Sequence, residues 1–106
     1  MVLEVTDVNI DDVLAKNEIT VLQFSAPWCG PCRMLGPIID SLSTESVNET
    51  ITIGKVNVDE NNTTANNYGI RSIPTVIFLK GGEVVDKMVG LNTKEFLQDK
   101  IDSLKS

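Results

Sequence analysis

Apolar residues recur along this chain with two spacings, one typical of strands and one typical of helices. Runs of apolar and β-branched residues, some alternating with polar ones, predict strands over 3–5, 19–24, 51–58, 75–79 and 83–89. Apolar residues three or four positions apart predict helices that run from Asn9 to about Lys16, from the cysteines to about Thr44, and from Asn92 to Leu104. The polar stretch 59–68 is compatible with a short helix that ends at Gly69.

Residues with strong positional preferences indicate where these helices begin and bend. Asn9 is a predicted N-cap with Asp12 in the first turn behind it. Asn92, followed three residues later by Glu95, resembles a capping box. Pro37 lies inside the longest helical pattern and is expected to bend that helix.

The order of the elements indicates the fold class. Gly81 and Gly82 separate the last two strands and predict a hairpin. The order β-α-β-α-β-α-β-β-α then indicates an α/β fold, with a central mixed sheet of about five strands flanked on both faces by about four helices, in a single domain over 1–106. The helices are expected to bury apolar faces made of Ile10, Val13 and Leu14; of Met34, Leu35, Ile38, Ile39 and Leu42; and of Phe96, Leu97, Ile101 and Leu104.

Composition and charge narrow the range of partners. The chain has 106 residues, 42% of them hydrophobic, and a formal net charge of −6. Its dispersed acidic residues disfavour contact with nucleic-acid phosphates or an anionic membrane surface. The first residues lack the basic and apolar regions of a targeting segment, and no run reaches membrane-spanning length. We therefore expect a cytoplasmic protein.

The two cysteines of the chain stand three residues apart, in Trp28-Cys29-Gly30-Pro31-Cys32, between a predicted strand and a predicted helix. Unpaired backbone N–H groups and the positive end of the helix dipole favour a thiolate at a helix start. The second cysteine lies one turn along the same helix, close enough to bond the first. We interpret the pair as a dithiol that opens and closes.

Other interpretations of the pair are weaker. A structural disulfide would close a loop of only four residues, which is worth about 2 kcal/mol before strain. A zinc site needs about four ligands, and one copy of a chain without histidine or a third cysteine cannot supply them. A metal or cluster shared by two subunits stays open. Two inert thiols would leave the Gly-Pro insert at a helix start unexplained.

These features make the sequence similar to the thioredoxin family over essentially its whole length. The resemblance rests on the segments 28–32, 55–59, 68–75 and 89–90. A Gly-Pro insert followed by Ile-Pro-Thr at the family's spacing is specific, whereas a lone cysteine pair would not be. The resemblance implies the thioredoxin fold.

The resemblance also implies roles for the residues of the cysteine motif. Cys29 is expected to be the exposed attacking thiolate, and Cys32 the resolving thiol, shielded one turn inside the helix. Trp28 is expected to cover the active site. Gly30 and Pro31, between the cysteines, are expected to support it.

A substrate groove is implied beside the cysteines. Pro74 is expected to follow a cis peptide bond and to lie against the cysteine pair, although most X-Pro bonds are trans. Ile73 and Gly90 are expected to line a shallow apolar groove, in which backbone groups receive an extended segment of the client protein.

The sequence departs from the family six residues before the first cysteine. Thioredoxins usually carry a buried aspartate there, which helps to remove the proton of the resolving cysteine, whereas this chain has Gln23. A glutamine forms hydrogen bonds but takes up no proton near neutral pH. Lys55 matches the family's lysine beside that aspartate, so we expect it to reach solvent, to pair elsewhere or to release its proton more readily. Ser25 replaces a tryptophan found in many members.

The function implied by the resemblance is protein-disulfide reduction through a mixed disulfide with the client. A separate thioredoxin reductase would reset the pair, since no glycine-rich nucleotide-binding motif is present. No cofactor and no metal are implied, and a monomer is expected. The lack of histidine favours a reductase over a thiol oxidase or isomerase. A non-catalytic thioredoxin-like binding subunit of a larger assembly stays open as an alternative.

Overall fold

The helices and strands follow the order that the sequence predicts. The computed structural model describes residues 2–45 and 50–105. Its elements are β1 (Leu3–Val5), α1 (Ile10–Lys16), β2 (Ile19–Ser25), α2 (Gly30–Glu45), β3 (Ile51–Asn57), α3 (Asn62–Asn67), β4 (Thr75–Lys80), β5 (Glu83–Val89) and α4 (Lys94–Lys105). β1 and β5 have the predicted bounds, and the ends of β2, β3 and β4 each differ from the prediction by one residue, as expected where strand ends fray.

The strands form one mixed sheet in the order β1-β3-β2-β4-β5. β3 runs parallel to both β1 and β2, whereas β4 runs antiparallel to β2 and to β5. Because parallel strands point the same way, β2 and β3 end side by side, with Ser25 opposite Asn57. The loop that carries the cysteines therefore starts beside the end of β3.

Hydrophobic clusters cover both faces of the sheet. One cluster joins α2 and α4 to strand residues such as Val21 and Phe78. The other joins α1 and α3 to residues such as Leu22 and Phe24. Successive strand residues point to opposite faces, so Gln23 shares the face of Val21, the one that α2 and α4 cover.

The predicted side-chain caps of two helices are wrong. Asn9 stands at the N-cap position of α1 without capping it, because its Oδ1 accepts a hydrogen bond from Thr6 N–H and its Nδ2 donates to Glu4 O. The residue that caps α4 is Thr93, whose Oγ1 accepts from Phe96 N–H at 3.1 Å, and Asn92 forms no capping box. The backbone of Asn9 is in the αR region and not in the extended region typical of an N-cap residue, whereas α4 begins at Lys94, which places Thr93 and not Asn92 at its N-cap.

The apolar stripe predicted for the longest helix is also partly wrong. Met34 is 63% exposed, whereas Leu35, Ile39 and Leu42 are completely buried. Adjacent helical residues lie about 100° apart around the axis, so Met34 points away from the face that Leu35 buries. The helix continues through Pro37. No helix in the described residues, α2 included, is long and apolar enough to cross a membrane.

A glycine in β3 allows close packing with both neighbouring strands. A Cβ at Gly54 would lie 2.5 Å from Val5 Cγ2 and 3.3 Å from Leu22 Cδ2. Gly54→Ala should therefore lower the free energy of unfolding by about 1–3 kcal/mol through overpacking. Gly36→Ala in α2 is the matched control: its nearest neighbour, Lys55 Nζ, is 3.6 Å away, and helix propensity should hold or raise stability by up to about 1 kcal/mol. Urea denaturation that found both variants equally stable would contradict this account.

Candidate active site

The cysteine pair lies where β2 ends and α2 begins. Cys29 N–H donates to Ala26 O at 3.1 Å, which closes a turn just before the helix. Cys29 and Cys32 are joined by a disulfide, with Cα atoms 5.3 Å apart. Pro31 falls in the first helical turn, where a backbone N–H would have no partner within the helix. The helix thus begins between the two cysteines, and Pro31 removes no backbone hydrogen bond from it.

The two cysteines differ in hydrogen bonding and not in exposure. Each residue is 5% exposed, so the expected contrast between an exposed Cys29 and a shielded Cys32 is wrong for this oxidised form. The disulfide holds both sulfur atoms against the same first turn of α2. However, Cys32 N–H donates to Cys29 Sγ at 3.2 Å. That donor stabilises negative charge on the sulfur of Cys29 once the disulfide opens.

Trp28 is held beside the cysteines by a residue of the neighbouring strand end. The side chain is 67% exposed, yet its Nε1–H donates to Asp59 Oδ2 at 2.9 Å. Asp59 is itself positioned by its N–H, which donates to Asn57 Oδ1 at 2.9 Å. Sequence reasoning used Asp59 only as part of a family motif. The contact of Asp59 with Trp28 follows from the parallel pairing of β2 and β3, which brings the ends of these two strands together.

Removing the Asp59 carboxylate should loosen the indole ring. We expect Asp59→Ala to lower the fluorescence anisotropy of Trp28, the single tryptophan of the chain, because an exposed ring without its hydrogen bond samples more rotamers. Asp99→Ala, which removes an exposed carboxylate on α4, is the control and should leave the anisotropy unchanged. Equal anisotropy in all three proteins would show that the hydrogen bond does not restrain Trp28.

A second restraint on this loop comes from Arg33. Its Nε and Nη2 donate to Pro27 O at 3.1 and 2.8 Å, so the guanidinium reaches back over the first turn of α2. Sequence analysis did not single out Arg33, because no periodicity links a helical side chain to a carbonyl six residues earlier. The Pro27–Trp28 peptide is therefore anchored on one side by Arg33, while Asp59 anchors the indole on the other.

The residues predicted to form a substrate groove lie around the Ile73–Pro74 bond. The Ile73–Pro74 bond is cis, as predicted. Ile73 and Trp28 line the same small cavity of about 170 Å³, together with Ile70. Gly90 is not among the described residues that line this cavity, but its N–H donates to Pro74 O at 2.8 Å, so it lies beside the proline. Contact of Pro74 with the cysteines stays a prediction.

Gln23 and Lys55 lie side by side in the parallel pairing of β2 and β3. Gln23 is 1% exposed, and among the described residues its Oε1 has no hydrogen-bond partner. Lys55 reaches solvent and pairs elsewhere, as expected: its side chain is 38% exposed and its Nζ lies 3.5 Å from Asp40 Oδ1. Asp40, which sequence analysis missed, is the acid that replaces the missing aspartate as partner of this lysine. Gln23, Lys55 and Cys32 all line one cleft of about 600 Å³.

The arrangement suits thiol chemistry. Cys29 is supplied with an N–H donor for its thiolate, and Cys32 stands one turn away, already bonded to it. Within residues 2–45 and 50–105, no group of three or more histidine, cysteine, aspartate or glutamate side chains is placed to hold a metal ion. Once reduced, a cysteine pair in this geometry is suited to disulfide exchange with another molecule.

Comparison with known proteins identifies the family. The thioredoxin family model matches residues 1–103. A thioredoxin 2 from Chlorobaculum tepidum is 48% identical over 100 residues, covering 93% of this chain and 91% of that protein. A thioredoxin from Bacillus subtilis is 45% identical over 84 residues, covering 79% of this chain and 80% of that protein. A solved mutant thioredoxin from Halobacterium salinarum has a TM-score of 0.90 at 36% identity, covering 98% of this chain and 90% of that one. The chain belongs to the thioredoxin family, whose members are redox-active oxidoreductases that reduce protein disulfides.

Proposed function

We propose that this protein reduces disulfide bonds in client proteins, with Cys29 as the attacking thiolate and Cys32 as the resolving thiol. The observation that carries this assignment is the hydrogen bond from Cys32 N–H to Cys29 Sγ. It favours the charged form of one sulfur over the other, and the thiolate is the nucleophile in disulfide exchange.

The reaction consists of two exchanges. The Cys29 thiolate attacks one sulfur of the client disulfide, and the other client sulfur leaves as a thiolate. Cys32 then loses its proton and attacks the Cys29 sulfur, which expels the second client thiolate. The product is the Cys29–Cys32 disulfide seen in the structure, and two electrons have passed to the client.

The surroundings of the pair would select and hold the client. Trp28 and Ile73 line a small cavity, which would take an apolar side chain next to the client disulfide. Pro74 and Gly90 complete the groove along an extended client segment, and Gly30 and Pro31 shape the helix start beneath it. Gln23 and Lys55 act on Cys32 through the cleft that all three residues line.

The reducing equivalents would come from a thioredoxin reductase, and the protein would act as a monomer. A catalytic dithiol needs a reducing compartment to be reset, so we place the protein in the cytoplasm. There it would take part in electron transport from the reductase to client proteins and in cell redox homeostasis.

The experiment that tests this function is insulin reduction with a nicotinamide-dependent thioredoxin reductase as electron source. We expect repeated turnover, measured as nicotinamide oxidation and insulin precipitation, since one dithiol is regenerated after each exchange. A double variant, Cys29→Ser with Cys32→Ser, is the control without a dithiol. Absence of turnover in the wild type would contradict the proposal. Full biological activity of the double variant would instead indicate a binding subunit.

A further inference from the structure

The start of α3 is capped by a residue that lies 57 positions earlier in the chain. Asn61 stands at the N-cap position of α3 but forms no side-chain cap. The capping residue is Asp7, in the loop between β1 and α1, whose Oδ1 accepts from Thr64 N–H at 2.7 Å and from Thr64 Oγ1–H at 2.6 Å. These hydrogen bonds, that of the hydroxyl foremost, hold the pKa of Asp7 below its usual value. The cap is therefore a charged carboxylate at the positive end of the helix.

The side chain of Asn61 ties two other segments together instead of capping α3. Its Oδ1 accepts from Asp7 N–H at 3.0 Å, and its Nδ2 donates to Asn57 O at 3.0 Å. Asn61 is 8% exposed, so these contacts are largely shielded from water. Asp7, Asn61 and Thr64 form one clamp, which joins the β1–α1 loop to α3 and to the end of β3.

α3 is too short and too weakly helical to hold its own position. It has six residues, Asn62–Asn67, and five of them are asparagine or threonine, which are poor helix formers. A helix of this length is not stable by itself in water. Thr64 and Ala65 are its buried residues. The position of α3 therefore depends on the clamp as well as on packing.

The clamp reaches one part of the cavity beside Trp28 through α3. Ala65, which follows Thr64, lines this cavity of about 170 Å³ together with Ile70. Ala65 N–H donates to Asn61 O at 3.1 Å, and Ile70 N–H donates to Ala65 O at 3.0 Å. The positions of both lining residues are therefore linked to the clamp.

The clamp reaches a second part of the same cavity through the turn that follows β3. Asn57, whose carbonyl oxygen accepts from Asn61, also accepts from Asp59 N–H on its Oδ1 at 2.9 Å. Asp59 in turn accepts from the indole N–H of Trp28, and Val58 lines the cavity between them. An unbroken series of hydrogen bonds thus joins the clamp to the indole ring.

Resting on the proposed function, we propose that Asp7 and Asn61 are positioning residues for client selection: the clamp fixes the shape of the cavity beside Trp28 and thereby sets the preference for clients with a large apolar side chain next to the disulfide. A cavity of fixed shape binds a side chain that fits it without first having to be ordered. The cysteine pair is held by other contacts, such as the hydrogen bond from Cys29 N–H to Ala26 O. The clamp should therefore act on client selection and not on the exchange step.

The test compares two disulfide peptides that differ only in having leucine or glycine next to the attacked cysteine. Prereduced protein is mixed with each peptide, and a single round of reduction is followed by acid quench and mass spectrometry, so that no reductase is needed. The wild type should reduce the leucine peptide at least about fivefold faster than the glycine peptide, as expected of an apolar cavity that fits the longer side chain.

Asp7→Ala is expected to slow reduction of the leucine peptide by about three- to tenfold and to change that of the glycine peptide by less than about twofold. Asn61→Ala should do the same and should also lower the fluorescence anisotropy of Trp28. Asp7→Asn keeps an oxygen acceptor for Thr64 and should retain the wild-type preference. Asp99→Ala, the exposed control on α4, should retain it too.

The clamp should respond as one unit. The double variant Asp7→Ala with Asn61→Ala is expected to be no more than about twofold slower with the leucine peptide than the slower single variant. Urea denaturation checks that each variant is folded at the assay temperature. Thr64→Val removes the hydroxyl and keeps the backbone N–H, so it replaces any variant that is unfolded and should show the same loss of preference.

Three results would overturn the inference. Equal slowing with both peptides would show a general disturbance of the site, and an unchanged preference in Asp7→Ala and Asn61→Ala would show that the clamp does not shape the cavity. A wild type without any preference would show that the cavity does not select clients. Reduction of the glycine peptide by the wild type tests the reductase function itself, so that failure of this inference is distinguished from failure of that function.

Discussion

Replacing Cys29 with serine is expected to lower client reduction by about 10³-fold or more, as removal of a covalent nucleophile does in other enzymes. Replacing Cys32 with serine is expected to arrest the protein on its client after one exchange. The asymmetry follows from the hydrogen bond that Cys29 Sγ accepts from Cys32 N–H, since a serine at position 32 keeps that backbone donor. Cys32→Ser should therefore still attack, but it has no thiol with which to release the client.

Capture of a disulfide client distinguishes the two variants. Mass spectrometry should find a covalent complex with Cys32→Ser and none with Cys29→Ser. In the reduced wild type, iodoacetamide near neutral pH should label Cys29 before Cys32, as mapped by fragmentation of the peptide that contains both. The expected preference follows from the N–H donor to Cys29 Sγ, since the two residues are equally buried in the oxidised form. Capture by Cys29→Ser, or first labelling of Cys32, would reverse the assignment.

Gln23→Asp is expected to speed the resolving step and to raise the apparent pKa of the thiol pair. Gln23 and Cys32 line the same cleft, so a carboxylate at position 23 would serve as a base for Cys32. Its negative charge would also disfavour a nearby thiolate. General-base catalysis typically contributes about 10²–10⁴-fold, and we expect about 10-fold here, because water or a group of the client can take up the proton in place of a built-in base.

The structure adds a cost to this substitution. Gln23 is 1% exposed, and burial disfavours a charged carboxylate. Lys55, its neighbour in the sheet, pairs with Asp40 and would have to turn toward the new acid. We therefore expect Gln23→Asp to be less stable than the wild type above the pKa of the new group, where the buried carboxylate is charged.

Stopped-flow reduction of a disulfide client across about pH 5–9 measures the effect on resolution. Gln23→Asn is the matched control, because asparagine has the shape of aspartate without its charge. If aspartate at position 23 speeds the resolving step and asparagine does not, the gain comes from removal of the Cys32 proton. If Gln23→Asp left the rate profile unchanged, or slowed resolution at every pH, Cys32 would not be lacking a base.

Local patterns account for most of the secondary structure. Val21 and Phe24 belong to an apolar run that predicts β2 without knowledge of the fold, because the backbone of a strand itself sets the spacing of its side chains. The helix caps could not be predicted in this way, because Asn9 and Asn92 have neighbours whose oxygens are equally suitable acceptors for the N–H groups at the helix start. Only the final position of the helix relative to its loop makes Thr93 the cap of α4.

The sequence by itself determined the order of the elements and the dithiol between β2 and α2, because both depend on residues only a few positions apart. Tertiary structure alone decided which distant groups serve that dithiol. Asp59 meets Trp28 because β3 runs parallel beside β2, and Asp40 meets Lys55 because α2 packs over the same face. Ser25 of β2 and Gly36 of α2 come together with Cys32 in the lining of one cleft, again through the packing of the helix on the sheet. Such contacts depend on strand order and helix packing, which no local spacing encodes.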